Sequence, residues 1–181
     1  MSKIYYITGL GGKKNNGLAL YLAEYYSLES VLEINSEIQR MRWSDQKSIT
    51  KRFLKEINLD SNVIIATSYG AYLLLNSLID IQKVNFRMIL ISPVIGLAGD
   101  LKGRRLPKGL KTFKDWVSSG EAANKIRGKV SLICGDADPI CPIANIDWFS
   151  HCIPDLDVCI LKDQNHSINH EDLQAYLRKV L

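Results

Sequence analysis

The chain has only three histidines and four cysteines among 181 residues, and no two cysteines form a C-x-x-C pair. That scarcity excludes the common zinc-ligand spacings, so no metal site is expected. A disulfide framework belongs to small secreted chains and is not expected either. No apolar run approaches the roughly 20 residues that span a bilayer. No positively charged leader precedes a short apolar segment. These absences predict a cytoplasmic protein with reduced thiols and no membrane span. The net charge of +4 is too mild to indicate nucleic acid. Internal repeats and low-complexity tracts are also absent. The length suits a single domain over residues 1–181, large enough to bury a substantial core.

What is present is an alternation of short apolar runs with longer amphipathic segments. Strands are predicted over 3–8, 30–34, 62–67, 86–92, 129–135 and 156–161, from their β-branched and apolar composition. Helices are predicted over 17–27, 44–58, 69–81, 112–125, 143–152 and 170–181, with Ser44 or Asp45 capping the second. Runs such as "VIIAT" and "MILI" have no polar alternation, so the sheet should be covered on both faces and mostly parallel. The expected fold class is α/β: a three-layer sandwich around six strands. The least regular stretch, about 96–114, reads as a basic insertion.

The first strand runs into "TGLGGKKNNG", a glycine-rich turn. Two phosphate-binding patterns fail there. Aligning a P-loop on Gly12-Lys13 puts Ile7 at the first glycine and Lys14 where Ser/Thr would hold magnesium. The dinucleotide pattern fits Gly9 and Gly11 but meets Lys14 at the third glycine. Glu33 ends the second strand where a ribose-binding acid would sit, which leaves a Rossmann-like nucleotide binder as one alternative. No cofactor is expected on the main reading.

The second strand-turn-helix is more informative. "ATSYG" (Ala66 to Gly70) is the G-x-S-x-G elbow with Ala in the first position. Small residues two positions either side of the serine let strand and helix approach, and Ala meets that need. The elbow exposes the Ser68 hydroxyl at the carboxyl end of the sheet and turns the Tyr69 N–H toward the same point. A serine nucleophile needs a base, and the base an orienting acid. Asp138 follows one strand in "GDADPICP", and His166 follows the last strand in "DQNHSI". In a parallel sheet all three loops open on one edge, in the order Ser, Asp, His.

With these motifs the chain resembles the α/β-hydrolase fold family over nearly its whole length. It looks like the minimal serine hydrolases of that family, which lack its first two strands and any large lid. "DADPICP" is similar to a segment of small hydrolases related to retinoblastoma-binding proteins. The resemblance implies strand order 2-1-3-4-5-6 and a serine hydrolase acting on a carboxylic ester or thioester. It also implies an oxyanion hole made by the N–H groups of Leu10 and Tyr69. Thr8-Gly9-Leu10 stands where the family usually begins its turn with His-Gly.

Other residues carry weaker signals. Asp136 and Asp163 are rivals to Asp138 but read as turn residues. His151 and His170 read as helix-end residues. Cys141 reads as a buried thiol, and Trp43 as either packing or the site mouth. Residues 102–114 hold six basic residues and no acid, so the remaining chain is slightly negative. That run is either a solvated loop or, through Arg104 and Arg105, a guide for an anionic substrate. A catalytically degenerate hydrolase-fold binding protein is the second alternative. Oligomeric state is left open.

Overall fold

A computed structural model of the chain describes residues 3–57, 62–96 and 108–181. The elements run β1 (Ile4–Leu10), α1 (Gly17–Tyr25), β2 (Leu28–Ile34), α2 (Ser36–Arg40), α3 (Trp43–Glu56), β3 (Val63–Thr67) and α4 (Tyr69–Leu78). They continue with β4 (Arg87–Ile91), α5 (Leu110–Ser118), α6 (Glu121–Ile126), β5 (Val130–Gly135), α7 (Ile143–Cys152), β6 (Asp157–Leu161) and α8 (His170–Val180). One sheet takes the order β2-β1-β3-β4-β5-β6. Every neighbouring pair in it is parallel. The expected order holds, and the sheet is wholly parallel.

Strand alternation sorts the side chains into two cores. Ile7, Ile64, Ala66, Met88, Leu90, Leu132 and Cys134 face one side, packed with residues of α3 to α7. Ile4, Tyr6, Val63, Ile65, Ile89, Ile91 and Ile133 face the other, against Ala19 and Leu22 of α1 and Leu173, Tyr176 and Leu177 of α8. Two-sided burial explains why the strands read as unbroken apolar runs. Each fully buried Leu or Ile contributes roughly 1.5–3 kcal/mol. In α4 every residue from Gly70 to Leu78 is buried, because sheet and outer helices enclose it.

Two sequence expectations need correction, and one helix was missed. The helix predicted over 112–125 is two helices, because Gly120 sits at φ 82° between them. That left-handed conformation ends a helix, and glycine adopts it at no cost. The cap of α3 is not Ser44 or Asp45: Arg42 takes the N-cap position without a side-chain bond. Ser44 lies inside the helix, its hydroxyl on Asp45 Oδ1. The short α2 was not foreseen. Gln46 joins it to the next helix by donating to Gln39 O at 3.3 Å and Met41 O at 3.1 Å.

The basic insertion falls largely outside the described residues. Residues 97–107, including Lys102, Arg104 and Arg105, lie outside the described residues. Beyond them the run is part of the packed layer: Leu110 and Phe113 of α5 are buried core residues. The Lys108 carbonyl accepts the Tyr72 hydroxyl at 2.8 Å. Gly109, at φ 82°, lies so close to Trp43 that a Cβ there would come within 2.7 Å of the indole. Trp43 also packs on Tyr72 with ring centroids 5.6 Å apart, so it is a packing residue.

A very close main-chain approach involves Gly70. A Cβ there would sit 2.2 Å from Thr8 O and 2.9 Å from Ile7 O, both main-chain atoms that cannot swing aside. Gly70→Ala is therefore expected to cost at least about 2 kcal/mol of unfolding free energy. Urea denaturation checks this, and an unchanged midpoint would refute the close-approach argument.

Candidate active site

Ser68 joins β3 to α4 at φ 52°, ψ −118°, a conformation that non-glycine residues adopt only under constraint. Three hydrogen bonds hold it there. Its N–H donates to Ile91 O at 2.9 Å, and its carbonyl accepts Tyr72 N–H at 3.2 Å and Val94 N–H at 3.3 Å. The buried Ala66 and Gly70 supply the small flanking residues. The end of β1 lies directly alongside: a Cβ on Gly9 would be 3.3 Å from Ser68 Cβ and 3.9 Å from its Oγ.

The three sequence-predicted residues are brought together. Ser68 Oγ is 2.8 Å from His166 Nε2, across 98 positions of chain. His166 Nδ1 is 2.8 Å from Asp138 Oδ2. The Asp138 side chain is fully buried, while that of His166 is about one-fifth exposed. The other Asp138 oxygen accepts Ile140 N–H at 2.8 Å and Cys141 N–H at 2.9 Å. Burial pushes the Asp138 carboxyl upward, but the His166 hydrogen bond and the two backbone N–H groups outweigh it and hold the group below its ordinary value. An ionised carboxylate only accepts, so Nδ1 must carry the proton. Nε2 then has its lone pair toward the Ser68 hydroxyl.

Backbone contacts set that geometry. A Cβ on Gly135, the last residue of β5, would sit 2.0 Å from Gln164 O. Asp136 N–H donates to Leu161 O and Ala137 N–H to Gln164 O, each at 3.0 Å. The Asp138 turn is thus fastened to the His166 loop. At the far end of that loop Asn169 caps α8 by accepting Asp172 N–H at 2.9 Å, and its own N–H donates to Gln164 Oε1.

The glycine turn is held as firmly. Ile34 N–H donates to Thr8 Oγ1 at 2.8 Å, and that hydroxyl donates to Gly9 O at 3.0 Å. Gly11 N–H donates to Ile34 O and Gly12 N–H to Gly9 O. Lys14 N–H donates to the carboxylate of Glu33, so this acid braces the turn. A pocket of about 400 Å³ includes Gly9, Leu10, Ser68 and His166 in its lining.

Comparison with known proteins bears on the fold. No protein-family model matches the chain, and no curated protein matches its sequence. Solved structures do. Est1E from Butyrivibrio proteoclasticus superposes with a TM-score of 0.71 at 13% identity, covering 99% of this chain and 86% of its own. Monoacylglycerol lipase from Paleococcus ferrophilus gives 0.67 at 13% identity, over 98% and 91%. MGS-MChE2, an α/β-hydrolase enzyme from lagoon sediments of Mar Chica, Morocco, gives 0.63 at 16% identity, over 99% and 90%. The chain has the α/β-hydrolase fold.

Within this fold the side-chain hydrogen bonds of His166 go to Ser68 and Asp138 and not to the rival residues. Asp136 and Asp163 are exposed. Asp163 sits at φ 58° in the turn after β6. His151 bonds Asp147 O within its own helix. His170 is the exposed first residue of α8. The Cys141 thiol is buried in the core, and burial pushes it strongly upward, away from thiolate chemistry. Burial likewise pushes Cys134 up to about 12. No group of metal-ligating side chains occurs among the described residues. Nor, among them, is any helix long and apolar enough to cross a membrane. Sequence reading missed the Ile140 and Cys141 N–H groups, which carry no side-chain signature. It also missed Gln46, whose Oε1 accepts the Tyr69 hydroxyl at 3.0 Å.

Because folded Asp138 is held below its unfolded value, its contribution to stability is in place above about pH 4 and falls away as pH drops further. Wild-type protein should therefore be more stable than Asp138→Asn near neutral pH and lose that advantage toward about pH 3. Urea titrations at both pH values check this; an advantage undiminished in acid would contradict it.

Proposed function

We propose that this protein is a serine hydrolase that cleaves a carboxylic ester or thioester through an acyl-enzyme. One observation carries the reading: the hydrogen-bonded chain Ser68–His166–Asp138, with both links at 2.8 Å. Ser68 Oγ attacks the substrate carbonyl carbon while His166 Nε2 takes its proton. Asp138 holds the imidazole tautomer and stabilises the imidazolium. The carbonyl oxygen becomes an oxyanion between the N–H groups of Leu10 and Tyr69. Tyr69 supports that role as the first residue of α4, where backbone N–H groups lack intrahelical partners. Leu10 supports it because its neighbours commit their N–H groups elsewhere, Gly11 to Ile34 O and Gly12 to Gly9 O. His166 then returns the proton to the leaving oxygen or sulfur. Water, deprotonated by the same nitrogen, releases the acid.

The structural neighbours lend further support, since one is a monoacylglycerol lipase and another a serine hydrolase involved in carbazole degradation. The reading needs no cofactor or metal, and it places the whole activity in one domain. The anionic-substrate expectation gains nothing from Lys108, Lys111 or Lys114, none of which lines the Ser68 pocket.

Labelling with a fluorophosphonate probe, followed by peptide mass spectrometry, tests the proposal. The label is expected on Ser68 and is expected to be lost in Ser68→Ala and His166→Ala, both still folded by circular dichroism. Turnover of p-nitrophenyl acetate should fall at least about a thousandfold in each. A folded wild-type protein that takes no label and turns over no ester would overturn the reading and favour a hydrolase-fold binding protein.

A further inference from the structure

The pocket beside Ser68 has a floor and walls of different chemistry, and both point to one kind of substrate. Its floor lies beneath Ser68 on the sheet face that carries α1 and α8. Thr67 directly precedes the serine, and Ile91 is its partner on β4. Tyr6 reaches up from β1 so that its hydroxyl lies 3.1 Å from Thr67 Oγ1. Those two hydroxyls share one hydrogen bond. The walls are Leu10, Leu18, Ile140, Ile168 and Leu173, which come from the glycine turn, α1, the Asp138 loop and the His166 loop with α8. Among the described residues no lysine, arginine, aspartate or glutamate lines the pocket. Its volume of about 400 Å³ is near the lower end for small-molecule sites, roughly 300–1,000 Å³.

We infer that the slot between α1 and α8 is the acyl-binding site, and that it selects esters whose acyl part is neutral, apolar and short to medium in length. The inference rests on the serine-hydrolase reading above and adds the substrate class. The assignment to the acyl side follows from the order of bond making. The acyl group stays bonded to Ser68 Oγ, directly above the floor, while the leaving group departs and water takes its place. Apolar walls over an uncharged floor whose hydroxyls bond each other suit the part that stays. A charged acyl group would leave water for a site without a counter-ion, at a large cost. A long chain would have to leave the slot and lose the wall contacts.

Two series of substrates test this. In the first, p-nitrophenyl esters run from acetyl to dodecanoyl; in the second, acetates carry alcohols of increasing length. Wild-type kcat/KM is expected to peak within the acyl series at short to medium length. A succinyl half-ester should be turned over far more slowly than the neutral ester of equal length. Leu18→Trp, which fills the slot from α1, should lower the hexanoyl-to-acetyl ratio of kcat/KM about tenfold, and Leu18→Ala should raise the decanoyl-to-acetyl ratio. Leu18 is only partly buried, so both variants should fold. Fluorophosphonate labelling of Ser68 in each reports that the nucleophile is still activated. If the labelled variants keep the wild-type acyl ratios, or if the alcohol series shifts in place of the acyl series, the slot is not the acyl site. That result would leave the hydrolase reading standing. A wild-type protein that neither hydrolyses any ester nor takes the label overturns both.

Discussion

The architecture depends on a helix lying against a strand with no side chain between them. At Gly70 the backbone of α4 meets the carbonyls of Ile7 and Thr8 so closely that even a methyl group would collide. This approach seats α4 on β1 and sets Ser68 against Gly9. It also forces the chain to turn within one residue, which accounts for the positive φ of Ser68. The bonds from Ile91, Tyr72 and Val94 hold that strained residue in place. With the backbone so held, the Ser68 hydroxyl lies 2.8 Å from His166 Nε2.

A second close approach does the same for the other two residues. Gly135 and Gln164 bring the ends of β5 and β6 together, so the loops bearing Asp138 and His166 are fastened to each other. Neither loop is long, and each is tied at both ends. The charge on Asp138 is held by two backbone N–H groups as well as by the imidazole. A buried carboxylate survives only with such partners. Its ionised state in turn fixes which imidazole nitrogen carries the proton. Main-chain packing, two loops and one proton position are thus links in a single chain of cause.

The two faces of the sheet differ in use. The α3–α7 side is thick and closed, with Tyr72, Phe113, Trp116 and Phe149 buried and stacked through Trp43 and Trp148. The α1–α8 side is thinner, and its helices leave a slot at the carboxyl edge beside Ser68. The basic residues from Lys108 to Lys114 belong to the thick side, where Phe113 anchors their helix. Their charge is therefore displaced from the pocket that the nucleophile faces.

Local patterns in the amino-acid order were enough for the strands, most helices, the parallel arrangement and the Ser68, Asp138, His166 sequence along the chain. Each of these is written in nearest-neighbour terms: apolar runs, small residues around a serine, an acid or a histidine just past a strand. The break at Gly120, the short α2 and the uncapped start of α3 were not legible. Gly120 resembles any helical glycine until Ser119 and the turn around it are seen in place. Gln46 looks like a surface residue, yet it is buried and holds α2, α3 and Tyr69 together. Contacts between residues far apart in the chain also put 2.8 Å on each side of His166 and left the α1–α8 slot open. Backbone carbonyls and N–H groups fasten the loops that carry those side chains. Every residue has the carbonyl and every residue but proline the N–H, so no residue type marks which will be used until the fold has brought them together.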